Sequence, residues 1–233
     1  MKSKKEKIVM KNALARAQHQ LKLPEKRIVA IALTKINSMA RKLDYKNEKA
    51  RTIKINAHEY QKIAGLKNSR NAYRDIIAIA ETLIKKQLTI KSNTMTGTET
   101  TIINWVESTK YETGNGEIEI CFTQKIMPYL CAIENRFTEY ELTEARGIKS
   151  IYTWRLLEFL TSWSNEKTGQ RKISIDKFNE MMETPTSYKT GDITQKIIEP
   201  AIKELEKRKW EINYKKEKSG RKITHIIFSW RKP

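Results

Sequence analysis

Two stretches of the chain share one pattern of apolar and polar positions. TIKINAHEYQKIAG (52–65) and KISIDKFNEMMET (172–184) each begin with two isoleucines that are separated by one residue. This alternation predicts a short strand with one buried face. The residues that follow predict a short amphipathic helix in each copy, with Asn56 or Asp176 as its N-cap.

A longer amphipathic helix is predicted next in each copy, after a polar turn. Its apolar residues recur at helical spacing and would therefore form one buried face. In the first copy, where the helix is expected over residues 72–86, the apolar residues are Ala72, Ile76, Ile79, Ala80 and Leu83. In the second copy they are Ile197, Ile198, Ala201 and Leu205.

The second of these longer helices contains a proline. Pro200 has no N–H to donate to the carbonyl of Lys196, so we expect a bend at this point. The alternative is that Pro200 is the first residue of a shorter helix and that residues 192–198 form a separate turn. Thr190 or Asp192 is the predicted N-cap.

Two strands are predicted after each longer helix. In the first copy they are QLTIKS and TTIINWV, joined by a turn at Gly97, and in the second they are WEINYKK and RKITHIIFSW, joined at Ser219 and Gly220. TTIINW and THIIFSW share a T-x-I-I core and a tryptophan, which favours equivalent strands. A helix is also predicted ahead of each copy, one that begins at Pro24 and one over residues 143–163.

The order helix, strand, helix, turn, helix, strand, strand is that of a winged helix-turn-helix domain. Ile53 and Ile173 lie 173 − 53 = 120 residues apart, a spacing that indicates a duplicated domain and not a short-period array. The predicted fold class is therefore α+β, with two tandem winged helix-turn-helix domains. Residues 121–142 are predicted to form a strand end, a helix and a connector, which places the domains at residues 1–136 and 137–233.

The net charge of the chain favours negatively charged partners. The sequence has 46 lysines and arginines against 27 aspartates and glutamates, a formal net charge of +19, and such a field attracts polyanions. Nucleic acid is the leading candidate and an anionic membrane surface is the second. The sequence has no run of about 18 apolar residues that could span a membrane. Its basic start is not followed by the apolar segment of a secretion signal, so we expect a cytoplasmic protein.

The sequence carries few signs of catalysis or metal binding. Its two cysteines, Cys121 and Cys131, form no C-x-x-C pair, so two buried thiols in a reducing compartment are expected. The three histidines are far apart, and neither a His-x-His pair nor a phosphate-binding G-x-x-x-x-G-K-[ST] loop occurs. We expect a protein that is not an enzyme and that needs no cofactor or metal.

The polar side of the longer helix in the first copy is a candidate DNA-binding surface. In a helix-turn-helix domain the second helix enters the major groove, where arginine pairs with guanine and asparagine with adenine. Arg70, Asn71 and Arg74 lie opposite the apolar face and are predicted to read bases. The turn before the helix suits phosphates, unless Asn68 or Ser69 only caps the helix and the arginines are solvated. The predicted turn contacts are Lys67, Asn68 and Ser69.

The second copy offers an equivalent surface, and both hairpins add basic residues. A charge run is usually solvated, but a basic hairpin beside a helix in the major groove is typical of a backbone or minor-groove contact. The predicted contacts of the second copy are Tyr188, Lys189 and Thr190 in the turn and Gln195, Lys196 and Lys203 on the helix. The predicted hairpin contacts are Lys91 in the first copy and Lys215, Lys216, Lys218 and Arg221 in the second.

Five segments together resemble one known family. They are NALARAQHQLKLPEKRIVAIALTKIN, RNAYRDI, YLCAIENRFTEYEL, KSIYTWRLLEFL and IIEPAIKELEKRKWEINYKKEKSGRKITHIIF. In the order and spacing of these segments, from about Asn12 to Trp230, the chain resembles the replication initiators of iteron-containing bacterial plasmids, which have two tandem winged-helix domains. None of the segments is a catalytic signature.

The resemblance implies a function in plasmid replication. Monomers would bind repeated double-stranded sites in an origin and help to open an adjacent A·T-rich segment, and dimers would bind an inverted repeat at the initiator's own promoter and repress it. Host initiator and helicase proteins would be recruited. The second domain would read sequence most strongly, and the first would carry the homodimer contact. The alternatives are a DNA-processing enzyme, such as a relaxase or nuclease, and a transcription regulator without initiator activity.

Overall fold

The computed structural model describes residues 6–36, 46–66, 71–112, 114–131, 133, 135–163 and 167–233. The chain divides into two compact units, one that ends at Gly147 and one that begins at Ile148. The division lies later than the boundary expected after residue 136. The reason is that the strand Phe137–Glu141 pairs with Lys7–Lys11, near the start of the chain, and so is part of the first unit.

The elements of each unit are named here in chain order. Those of the first unit are β1 (Lys7–Lys11), α1 (Asn12–Ala15), α2 (Leu23–Lys35), α3 (Glu48–Arg51), β2 (Thr52–Asn56), α4 (Ala57–Ala64), α5 (Ala72–Leu83), β3 (Gln87–Asn93), β4 (Thr98–Asn104), β5 (Val106–Tyr111), β6 (Glu117–Phe122), α6 (Met127–Leu130), β7 (Phe137–Glu141) and α7 (Leu142–Ala145). Those of the second unit are α8 (Ile151–Thr161), β8 (Thr168–Ser174), α9 (Ile175–Met182), α10 (Thr190–Ile193), a π-helical turn (Thr194–Ile198), α11 (Glu199–Glu206), β9 (Glu211–Ser219) and β10 (Lys222–Arg231).

The first unit packs α2, α4 and α5 against a three-stranded antiparallel sheet with the strand order β2-β6-β5. Asn56 caps α4, as predicted. Its side chain accepts the N–H of Glu59, and the Glu59 carboxylate accepts the N–H of Asn56. The helix is followed by Gly65 at φ +68°, a left-handed conformation that costs glycine little, so the chain turns sharply after α4.

Two hairpins follow α5, where the sequence predicted one. β3 and β4 form the predicted hairpin about Gly97, but this pair is a separate two-stranded sheet. β6 pairs with β2 and has β5 on its other side, so the β5–β6 hairpin occupies the position of a wing. The likeness of TTIINW in β4 to THIIFSW in β10 therefore does not mark equivalent strands. The strand end predicted at Cys121 is the end of β6.

The helix predicted from Pro24 is α2. It begins at Leu23 and ends at Lys35, where Ile36 takes an extended backbone conformation. The helix is buried along most of its length and forms the centre of the first unit's core. The last part of the predicted helix, residues 37–43, lies outside the described residues.

The second unit has the strand order β8-β10-β9, again antiparallel. The turn predicted at Ser219 and Gly220 joins β9 to β10. The helix predicted over residues 143–163 is two helices, α7 and α8, in different units. Gly147 at φ +70° interrupts the helical backbone between them, and Ser150 caps α8 by accepting the N–H of Tyr152, so a new helix begins there.

The cap of α9 differs from the prediction. The side chain of Ser174 accepts the N–H of Lys177, so Ser174 is the N-cap and Asp176 is not. Asp176 is the second residue of the helix, because Ile175 is already helical. Ile175, the second isoleucine of this copy, is thus a helix residue, whereas Ile55, the second isoleucine of the first copy, lies in a strand.

The helix-turn-helix repeats in the two units at a constant spacing. The caps Asn56 and Ser174 are 174 − 56 = 118 residues apart. The same spacing separates Gly65 and Glu183, which both take left-handed conformations at the ends of α4 and α9. The spacing of 120 inferred from the isoleucines is therefore two residues too long. At the spacing of 118, Ile173 corresponds to Ile55 and not to Ile53, and each of these two isoleucines lies in a strand directly before an N-cap.

The second longer helix is one continuous helical run from Thr190 to Glu206. α10 leads into the π-helical turn, and α11 begins at Glu199 with Pro200 in its first turn. A π-helical turn spaces its hydrogen bonds at i→i+5. Because residues 192–198 are helical and continue into α11, the alternative of a separate turn before a shorter helix is wrong, and the bend at Pro200 stays a prediction.

The two cysteines are buried and their thiols are free, as predicted. Burial raises the pKa of the Cys131 thiol to about 11. Burial is also the largest cause of the raised pKa of Cys121. Only the thiolate is a strong nucleophile, so both residues are inert core side chains.

Candidate nucleic-acid interface

The recognition helix of the first unit is α5. Its apolar residues Ala72, Ile76, Ile79, Ala80 and Leu83 are all buried, as the periodicity predicted. Asn71 and Arg74 lie on the exposed side, and Asn71 is the N-cap. In the described part of the chain the exposed Asn71 side chain makes no capping hydrogen bond to the helix. The predicted contacts Lys67, Asn68, Ser69 and Arg70 lie outside the described residues.

The β5–β6 hairpin, here called the first wing, is fastened to this recognition helix by two tyrosines. The Tyr73 hydroxyl of α5 donates to the Glu112 carbonyl at 2.7 Å and accepts the Gly114 N–H at 2.7 Å. The Tyr111 hydroxyl of β5 donates to Glu81 Oε1 of α5, also at 2.7 Å. The hydrogen bond to Glu81 raises the pKa of Tyr111.

The sequence did not predict the first wing. Lys91, the predicted hairpin contact, lies on β3 of the separate hairpin, where it is exposed. The exposed basic residue on the first wing is Lys110, on β5. The turn residues Gly114 and Gly116 between VESTKY and EIEICF were a signal that could have revealed this hairpin.

The recognition helix of the second unit is the run from Thr190 to Glu206. Its N-cap is Lys189, so both predicted caps, Thr190 and Asp192, are wrong. Asp192 is the third helical residue, and its Oδ2 accepts the N–H of Lys189 at 3.0 Å from inside the helix. An acidic side chain at this position stabilises the helix start, because it accepts the N–H of the N-cap residue and its negative charge is favourable at a helix N-terminus.

Three side chains form a fixed cluster on the exposed side of this helix. Lys196 Nζ lies 2.8 Å from Asp192 Oδ1 and 4.8 Å from the centre of the Tyr188 ring. The hydrogen bond between Lys196 and Asp192 raises the pKa of the lysine and lowers that of the aspartate. The structure thus brings together the predicted contacts Tyr188 and Lys196, and it orients the ammonium group before any partner binds.

The other predicted residues of the second unit lie on the helix and on the β9–β10 hairpin, here called the second wing. Gln195 and Lys203 are exposed, as is Lys189, whereas Thr190 is half-buried. The second wing carries a row of exposed cations, which suits a phosphate backbone. These are Lys215, Lys216 and Lys218 on β9 and Arg221 in the turn.

The second wing is also fastened to its recognition helix. The Tyr214 hydroxyl of β9 donates to Glu199 Oε1 of α11 at 3.0 Å. Tyr214 is half-buried. Its pKa is raised mainly by burial and to a smaller extent by this hydrogen bond. Lys216 Nζ of the same strand lies 5.9 Å from the centre of the Tyr214 ring. Tyr214 therefore contacts both the helix, through Glu199, and a basic residue of the wing.

In the described ranges, His, Cys, Asp and Glu side chains do not gather into a group of three that could hold a metal ion. The helices of these ranges are all too short or too polar to cross a lipid bilayer.

Each unit therefore has a helix-turn-helix, a three-stranded sheet and a hairpin beside its second helix, and the class is a protein with two tandem winged-helix domains. The family Initiator Replication protein, WH1, matches residues 7–161, and Initiator Rep protein, WH2, matches residues 174–230. The chain belongs to this family of replication initiator proteins. The family resemblance drawn from the sequence and the predicted fold class are confirmed.

Relatives of nearly the full length of this chain support the assignment. The PI protein of Escherichia coli is 29% identical over 98% of this chain and 83% of the relative. An uncharacterized 27.6 kDa protein of Escherichia coli is 23% identical over 97% of this chain and 95% of the relative. A crystal structure of the Pi initiator protein in complex with iteron DNA has a TM-score of 0.80, with 24% identity and coverage of 99% of both chains, which shows a shared fold.

Proposed function

We propose that this protein initiates plasmid replication by binding repeated double-stranded DNA sites, or iterons, at the origin. The observation that carries the proposal is the repeated interface: two recognition helices with exposed polar sides, each beside a wing. Membership of the replication initiator family supports it, as does the iteron DNA bound by a structural relative. Two such helices would occupy successive major-groove segments of one repeat.

The proposed contacts fall into two groups. Asn71 and Arg74 would read bases in the first unit, and Gln195 and Lys196 in the second. The wing cations and the helix starts would hold phosphates without reading sequence. The Asp192–Lys196–Tyr188 cluster supports the second unit as the stronger reader, because its ammonium group is already oriented.

The finer steps of initiation follow from the same proposal. Monomers would help to open an A·T-rich segment beside the repeats, and homodimers would repress the initiator's own promoter. The protein would act in the cytoplasm, recruit host initiator and helicase proteins, and break no DNA bond itself. A nicking assay with divalent metal ions addresses the alternative of a relaxase or nuclease, and cleavage above a no-protein control would favour that alternative.

Site selection from a pool of random 40-bp duplexes tests the proposal. The full-length protein should enrich one sequence, and hydroxyl-radical footprinting on it should protect about two helical turns per monomer. Supercoiled DNA that carries tandem copies of that sequence beside an A·T-rich segment should then become sensitive to permanganate in the A·T-rich segment. Failure to enrich any sequence would refute the proposal.

A further inference from the structure

The two recognition helices can be compared position by position at the spacing of 118 residues. The N-caps Asn71 and Lys189 are equivalent at this spacing. On the polar side of these helices, the exposed Arg74 corresponds to the half-buried Asp192, and the exposed Ala78 corresponds to the exposed Lys196. The side chains that would meet bases therefore differ between the units. The two helices therefore present different surfaces to the bases.

Further along the same helices one exposed residue does not differ. Glu81 and Glu199 occupy equivalent positions, and both are exposed. A carboxylate on the DNA-facing side of a helix in a strongly basic protein repels phosphates. Its occurrence at one position in both units therefore points to a shared role other than attraction of DNA.

Each of these two carboxylates accepts a hydrogen bond from a wing tyrosine. Tyr111 donates to Glu81 at 2.7 Å, and Tyr214 donates to Glu199 at 3.0 Å. The two tyrosines lie on topologically equivalent strands, because β5 and β9 are both the outer strand beside the strand that pairs with β2 or β8. The same donor and acceptor thus join the same two elements in both units.

We propose that Glu81 and Glu199 are positioning residues that hold each wing at a fixed angle to its recognition helix through the hydroxyl of Tyr111 or Tyr214. The inference rests on the proposed function and names the contacts that make the interface rigid before DNA binds. With the wing held in place, its basic residues meet phosphates while the helix occupies the groove; these are Lys110 in the first wing and Lys215, Lys216 and Lys218 in the second. Preorganisation of this kind raises affinity by lowering the ordering cost of binding.

Removal of one tyrosine hydroxyl tests the inference. Tyr214→Phe and Tyr111→Phe should each weaken binding to the selected duplex by about three- to tenfold, the effect of one ordinary hydrogen bond. The salt slope should become less steep by about one unit, because a loose wing holds fewer phosphates. The thermal midpoint should fall by no more than about 2–10 °C, since one hydrogen bond at an exposed or half-buried position is lost and the core is unchanged. Tyr129→Phe, which alters a tyrosine outside both wings, is the matched control.

A double-mutant cycle separates positioning from a change in charge. Glu199→Ala removes the acceptor, so Tyr214→Phe should have no further effect on affinity or salt slope in that background. Glu199→Gln keeps an acceptor oxygen and should keep the wild-type salt slope. Additive losses in the cycle, or tyrosine variants that bind like Tyr129→Phe, would refute the positioning role while wild-type binding stands. If the wild-type protein selects no site, the proposed function itself is refuted and the inference with it.

Discussion

At the scale of the residue, two arginines in different surroundings have different roles: Arg74 on the first recognition helix and Arg155 on α8. Arg74 projects from a helix whose opposite side is buried, so its removal leaves the core untouched. Arg155 of α8 is buried, donates to the carbonyl of Met181 and lies 3.5 Å from Glu183, at the end of α9. One arginine would bind DNA, and the other fastens the turn that leads to the second recognition helix.

The first prediction concerns Arg74. Arg74→Ala should weaken the free energy of binding to the selected site by about 1–3 kcal/mol and reduce the selectivity for the base at one position. The free energy of unfolding should change by less than about 0.5 kcal/mol, because the residue is exposed. Binding to selected and random duplexes, with thermal melts alongside, measures both. A large fall in melting temperature with unchanged DNA affinity would make Arg74 a structural residue.

The second prediction concerns Lys215 on the second wing. Lys215→Ala should weaken binding to selected and random duplexes alike, because a phosphate contact carries no sequence information. The slope of the logarithm of affinity against the logarithm of salt concentration should fall by about one unit. Titrations at four salt concentrations measure the slope. A loss confined to the selected duplex would mean that Lys215 reads a base.

The third prediction concerns the buried Arg155. Arg155→Met should lower the free energy of unfolding of the second unit by about 2–4 kcal/mol, because it removes the buried partner of the half-buried Glu183 carboxylate and the donor to the Met181 carbonyl. Urea unfolding followed by tryptophan fluorescence measures the change. Arg171→Met is the matched control, since Arg171 is exposed and lies 3.5 Å from the centre of the Trp163 ring. Equal urea midpoints for the two variants would contradict the prediction.

At the scale of the element, the ends of the helices decide how the two units repeat. Left-handed residues follow α4 and α9 at equivalent positions, as a glycine in one unit and as Glu183 in the other. Lys209, just after the second recognition helix, also has a positive φ, of +66°. Non-glycine residues in this conformation carry steric strain, so these ends are places where stability can be gained.

The fourth prediction uses the end of the second recognition helix. Lys209→Gly should raise the free energy of unfolding by about 0.5–1 kcal/mol, because glycine adopts the left-handed conformation without strain. Lys207→Gly should lower it by about 0.5–1 kcal/mol, since Lys207 has a helical φ of −61°. Thermal melts of the two variants provide the comparison. A shift of both in the same direction would show that backbone conformation does not control this site.

The same elements show what the sequence could predict. The apolar face of α5 was predictable, because every one of its residues follows the helical period. β5 was missed because Val106 is its one fully buried residue, so alternation hardly shows. Asp176 was wrongly predicted as the cap of α9 because the pattern placed the helix start two residues after the true cap, Ser174. The tyrosine–glutamate pairs join residues that are distant in sequence, and only the packed fold brings them together.

At the scale of the whole molecule, the excess of cations should dominate the response to salt. With a net charge of +19 and basic residues on the wings, about six to ten phosphates would be neutralised. Affinity for the selected duplex should then fall by roughly 10³ to 10⁵ between 50 and 200 mM salt. Fluorescence anisotropy across that range measures the fall. An affinity that does not change with salt concentration would refute the inference that the excess positive charge serves nucleic-acid binding.

The non-identical side chains at equivalent positions give the binding site a polarity. Asn71 and Arg74 in one unit stand where Lys189 and Asp192 stand in the other, so the two halves of a site cannot be exchanged. One chain would therefore bind an asymmetric sequence in a single orientation. Copies bound to sites repeated head to tail would all have the same orientation along the duplex. An array of such copies would present different protein surfaces to the two flanks of an origin.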